Sequence, residues 1–67
     1  MFNELKRETK GAEFPLLGKN EAGEVTIIYH GVRDDREFFK TKSVQSNGWI
    51  RVNIYYADGL CEELYER

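Results

Sequence analysis

Residues 49–60 read Trp49-Ile50-Arg51-Val52-Asn53-Ile54-Tyr55-Tyr56-Ala57-Asp58-Gly59-Leu60. The alternation decides the fold. In an extended chain Ile50, Val52, Ile54 and Tyr56 share one side, and Trp49, Arg51, Asn53 and Tyr55 share the other. The aliphatic set is expected to face the core. Ala57-Asp58-Gly59 suits a three-residue hairpin loop, a type I turn followed by a left-handed glycine. That loop pairs Tyr56 with Leu60, Ile54 with Glu62 and Val52 with Leu64. On the other face it pairs Tyr55 with Cys61, Asn53 with Glu63 and Arg51 with Tyr65. A two-residue loop would instead set Arg51 against Glu66 as a cross-strand ion pair. The three-residue loop is preferred, because it places Leu60 and Leu64 with the aliphatic stripe.

Working backward, Ser46-Asn47-Gly48 is a second turn, with Asn-Gly the strongest short hairpin signal. Before it runs EFFKTKSVQ, residues 37–45. The facing of this strand depends on the turn. A two-residue Asn47-Gly48 turn sends Phe39, Thr41 and Ser43 to the core. It leaves Phe38, Lys40, Lys42 and Val44 beside Trp49, Arg51 and Tyr55, and a three-residue turn reverses this. Arg33-Asp34-Asp35-Arg36 turns the chain once more, after the β-branched and aromatic stretch EVTIIYHGV, residues 24–32. Gly31 within that stretch suggests a bulge.

The N-terminal MFNELKRETK reads as a short helix or arm, with Asn3 as N-cap and Gly11 as terminator. Residues 12–23 connect it to the strands. Pro15 forbids a central strand there. Phe14, Leu16 and Leu17 are too apolar for a free loop, so this segment is expected to cross the core or form an edge strand. The chain is therefore one α+β or mostly β domain over 1–67. Residues 1–23 form the helix or arm with its connection, and 24–66 a four-stranded antiparallel meander. The alternative is a small barrel-like fold with a fifth strand from the N-terminal segment.

Composition narrows the function. A 67-residue chain of 7.9 kDa holds one core. A single cysteine excludes a disulfide scaffold and fits a reducing compartment. No apolar run approaches the ~20 residues of a membrane span. Phe2 to Gly11 is mostly polar, unlike a secretory signal. These features together predict a cytoplasmic protein. The net charge of -2 gives no global attraction to duplex DNA.

No catalytic constellation emerges. His30 is the only histidine, and its spacing to Asp34, Asp35 and Cys61 matches no metal pattern. Cys61 with His30 lacks an orienting third group and a cleft, so Cys61 reads as a small apolar strand residue. Glu62 and Glu63 are adjacent on a strand and point to opposite faces. The six glycines are scattered and form no phosphate loop. The expectation is no enzyme activity, cofactor or metal.

Nine aromatic residues are more than one small core easily hides. Phe38, Lys40, Lys42, Trp49, Arg51 and Tyr55 form the candidate binding set. Trp, Tyr and Arg are enriched at protein hot spots, which favours a protein-interaction module, a regulator or inhibitor acting through a sheet face or a free strand edge. A homodimer through the edge at Ile27, Ile28 and Tyr29 would support so small a core. The alternative is a single-stranded nucleic-acid binder, with bases on the rings and phosphates on the cations. A blander reading has Trp49 covered by Phe2, Phe14 and Leu17.

Overall fold

A computed structural model describes all residues, Met1–Arg67. One short helix, α1 (Phe2–Glu8), precedes five strands: β1 (Leu16–Lys19), β2 (Val25–Arg33), β3 (Arg36–Val44), β4 (Ile50–Tyr56) and β5 (Cys61–Glu66). The strands form one antiparallel sheet in the order β1-β2-β3-β4-β5. The meander of the sequence reading is present. The segment around Pro15 adds a fifth strand at the edge, and the sheet stays open. No helix is long and apolar enough to cross a membrane.

Turn chemistry sets the register. Tyr56 accepts a hydrogen bond from Gly59 N–H and donates its own N–H to Leu60. Gly59 sits at φ 94°, left-handed, as the three-residue loop requires. Every β4–β5 pair expected from that loop is found, Val52 opposite Leu64 and Arg51 opposite Tyr65 among them. The β3–β4 connection follows the same rule. Gln45 and Trp49 close a three-residue loop, and Gly48 takes φ 88°. Asn47 accepts the Trp49 N–H through its side chain. Asn-Gly therefore occupies the last two places of a longer loop. Phe38 lies opposite Tyr56, Lys40 opposite Ile54 and Lys42 opposite Val52. The two-residue reading is corrected, and β3 is turned over relative to it.

This flip changes which face is which. One face carries Thr26, Ile28 and His30 of β2, Phe39, Thr41 and Ser43 of β3, and Arg51, Asn53 and Tyr55 of β4. Helix α1 lies on this face. Phe2 and Leu5 pack on Phe39, joined by Phe14, Ile28 and Tyr55. Phe39 is 2% exposed and its ring meets Phe2 at 5.2 Å. The opposite face carries Ile27 and Tyr29, Phe38, Lys40 and Lys42, and the whole stripe Ile50, Val52, Ile54 and Tyr56. No element packs on it. The stripe expected to face the core thus lies on the open side.

The helix runs from Phe2 with Met1 at the cap position, so Asn3 is a helical residue and not the cap. The helix opens with Phe2, which packs on Phe39. Thr9 ends it, its hydroxyl donating to the Leu5 carbonyl at 2.6 Å. One contact ties the helix to the sheet through Glu37, and a second holds Glu37 in place from β2. Lys6 Nζ stands 3.1 Å from Glu37 Oε1, and His30 Nε2 stands 2.7 Å from Glu37 Oε2.

Gly31 makes no bulge, because β2 and β3 pair without interruption from Thr26–Ser43 to Arg33–Arg36. The Phe38 ring lies across it instead. A Cβ at Gly31 would stand 2.7 Å from Phe38 Cζ. Glycine here makes room for a ring on the open face.

Candidate interaction face

The six residues singled out from the sequence do not form one cluster. Phe38, Lys40 and Lys42 stand on the open face, while Arg51 and Tyr55 stand on the face under α1. Trp49 lies in the β3–β4 turn, where the Arg67 guanidinium stacks 5.1 Å from its ring centre. Phe2 and Phe14 pack on Phe39, away from Trp49, and Leu17 is 71% exposed, so the expected cover over Trp49 is not formed. The cause is the β3 register. One residue of loop length moves Arg51 and Tyr55 across the sheet from the β3 lysines.

The covered face is polar where the helix ends. A cleft of about 610 Å³ opens beside α1, with Thr26, Thr41, Ser43, Arg51 and Tyr55 on its floor. These groups are engaged mainly with one another. Thr26 Oγ1 and Ser43 Oγ share a hydrogen bond at 3.2 Å. Arg51 reaches Glu24 at 3.4 Å, while its enclosed Nε has no acceptor. Glu24 also accepts from Asn20 Nδ2 at 2.8 Å. Burial pushes the Tyr55 hydroxyl above the ordinary tyrosine range, with Cys61 and Glu63 adding in the same direction. Tyr55 packs beside the Phe2–Leu5–Phe39 cluster, while Arg51 ties β4 to Glu24 in the β1–β2 connection.

The open face has another character. Its midline is β4, with Ile50, Val52, Ile54 and Tyr56. Val52 is 1% exposed although no element covers it, because its neighbours close over it. Lys42 and Leu64 flank it directly. The Lys42 side chain covers apolar ground, as long basic side chains do, with its ammonium 3.3 Å from Glu66 Oε2 across β4. Lys40 and Lys42 stand over the Tyr29 ring at 5.5 and 6.0 Å. Arg36 stacks on Tyr56 at 4.0 Å and pairs with Asp58. Toward the edges Leu17, Val25, Leu60 and Leu64 remain largely exposed.

Charge divides unevenly across this face. Its strand positions carry Lys19, Arg33, Arg36, Lys40 and Lys42 on β1 to β3, and Glu62 and Glu66 on β5. Five bases against two acids give a local charge of +3 on a chain whose total is -2. The bases lie on one side of β4 and the acids on the other.

The edge proposed for pairing is not free. β1 pairs with β2 from Val25 to Ile28, so Ile27 and Ile28 already have a neighbour. The outer edge at the other side is β5, where Glu62, Glu63 and Glu66 discourage indiscriminate strand addition. His30 and Cys61 are also separated in role. His30 packs its ring on Phe39 at 4.8 Å and meets Glu37. Cys61 is exposed on β5.

The aromatic members that the sequence reading did not include are Tyr29 and Tyr56, with the aliphatic stripe between them. The signal was present in the alternation of residues 26–30, where Ile27 and Tyr29 part from Thr26, Ile28 and His30. No family model matches this chain, and no curated protein or solved structure matches it either.

Proposed function

We propose that this chain is a small protein-interaction module, working in the cytoplasm as a regulator or inhibitor, that acts by docking its open sheet face on a protein surface. One observation carries the reading. The stripe Ile50, Val52, Ile54 and Tyr56, flanked by Ile27, Tyr29, Phe38 and Leu64, has no covering layer. An apolar patch rimmed by charge marks an interaction surface. The partner is a protein with an apolar centre, offering carboxylates to Arg36, Lys40 and Lys42 and bases to Glu62 and Glu66. It is a different protein or a second copy of this one. Binding needs no reaction, so the module works by occupying a surface.

A second reading, single-stranded nucleic acid, is favoured by the basic and aromatic β2–β3 half of the face. It competes poorly for ring area, since Arg36 covers Tyr56 and two lysines lie over Tyr29. The aliphatic midline also offers bases little to stack on.

Affinity capture from lysate, with and without nuclease treatment, tests the proposal with three baits: wild type, Ile54→Asp on the open face and Arg51→Ala on the covered face. A protein retained by wild type and Arg51→Ala but lost with Ile54→Asp supports open-face docking. Retention by all three baits overturns it. Recovery that disappears with nuclease, and with salt, moves the assignment to nucleic acid.

A further inference from the structure

We infer that the open face takes a second copy of this chain, as a face-to-face sandwich with a twofold axis along β4. This rests on the docking role proposed above and names its partner. The argument is charge complementarity. β4 is the only strand whose open-face side chains, Ile50, Val52, Ile54 and Tyr56, are all uncharged. On one flank β3 presents Lys40 and Lys42, and on the other β5 presents Glu62 and Glu66. A twofold axis parallel to β4 lays β3 of one copy over β5 of its mate. It stacks the apolar midline on itself. An axis running across the strands would lay lysine over lysine and is disfavoured.

The levels match for one of these charge pairs, while Lys42 stands level with Leu64 and Glu66 with Val44. Lys40 lies opposite Ile54, and Ile54 lies opposite Glu62, so all three stand at one height along the sheet. Rotation about β4 preserves that height. Lys40 of each copy therefore meets Glu62 of the other, in two equivalent pairs. Packed sheets stand about 10 Å apart, within reach of a lysine and a glutamate extended toward each other. Neither residue has an ion partner within its own chain, whereas Lys42 already meets Glu66 at 3.3 Å. At the same time Phe38 of one copy faces Leu60 of the other, and Lys42 faces Leu64, covering two of the more exposed leucines. The overlap spans three strands, less than a standard interface, so association is weak, with Kd on the order of 10–100 μM.

Sedimentation velocity over about 5–500 μM, bracketing that affinity, tests the pairing in wild type, Lys40→Glu, Glu62→Lys, their equimolar mixture, and Ile54→Asp. Wild type should dimerise with concentration. Each single reversal should weaken the dimer about tenfold or more, because like charges then face each other twice. The mixture should recover it, since both cross-pairs become opposite in sign, and recovery requires both variants to be folded. A reversal that weakens the dimer without recovery in the mixture overturns the Lys40–Glu62 pairing. A wild-type chain that stays monomeric throughout overturns the second copy alone, leaving open-face docking to the three-bait capture. A dimer indifferent to both reversals and to Ile54→Asp overturns the sandwich and shows that the copies meet elsewhere. A monomer that binds oligothymidylate in a salt-dependent way overturns both protein readings.

Discussion

The two faces of the sheet use their residues in opposite ways. The covered face is the more polar of the two at its centre, with Thr26, Thr41, Ser43 and Arg51, yet it receives the helix. The open face has the continuous aliphatic stripe and receives nothing. A chain seeking only its own stability would place α1 over Ile50, Val52 and Ile54. Here a single ring, Phe39, anchors Phe2 and Leu5, and the Thr26–Ser43 hydroxyl pair lies on the same face. The difference teaches that hydrophobic alternation marks a face that will be buried, without saying by what. One face is buried within the chain and the other has no covering element.

The largest test of that contrast is Phe39→Ala. Removing the ring that Phe2, Phe14 and His30 all touch should cost about 3–5 kcal/mol, enough to unfold much of so small a domain. Urea denaturation reads it directly. Val52→Ala, at an equally hidden position on the other face, should cost only about 1.5 kcal/mol, two methylene equivalents. The Lys42 stem beside it can settle over the gap. If the two substitutions cost the same, the open face is a second core of the isolated chain and the contrast breaks. Gly31→Ala comes next, at about 1 kcal/mol, since the new methyl displaces the Phe38 ring on the open face. It should also weaken open-face association, which an unchanged dimer constant would contradict.

The smallest effect lies at Glu37, which meets Lys6 of α1 and His30 of β2. The Glu37 carboxyl is held below the ordinary carboxylate range, first by its hydrogen bond with His30 and then by that with Lys6. A carboxyl whose folded pKa is depressed supports the fold above its unfolded value, about 4.3, and that support disappears as pH falls through the folded value. Urea midpoints followed from neutral to acid pH should therefore drop further in wild type than in Glu37→Gln. Parallel curves would mean that Glu37 does not help to seat the helix.

Much of this was legible in the residues, and the failures have one root. The β4–β5 hairpin could be read outright because Ala57-Asp58-Gly59 admits one loop that keeps Leu60 and Leu64 with the stripe. Ser46-Asn47-Gly48 ends in the same Asn/Asp-Gly pattern, but Asn47-Gly48 also satisfies a two-residue turn. The strand before it could not break the tie, since Phe38 and Phe39 offer a ring to each face. Choosing the shorter loop moved Lys40 and Lys42 to the side of Arg51 and Tyr55. The binding set was thereby assembled from two faces, and its aromatic and aliphatic members Tyr29, Ile54 and Tyr56 were left out. The helix's choice of face was not legible either, because it depends on Phe2, Leu5 and Phe14 meeting Phe39 in three dimensions.

The neighbour-to-neighbour order of the strands carries a kinetic consequence. Every strand pairs only with those next to it in the chain, across loops of two or three residues for all four connections. Contacts so local in sequence demand little loop closure, and such topologies fold fast for their size. The same order makes opening progressive. β5 has one neighbour and is exposed along its whole length, so its amides should exchange with solvent first. β2 and β3, held on both sides or under the helix, should exchange last. The sheet is thus able to peel from its C-terminal edge while the Phe39 anchorage stays closed.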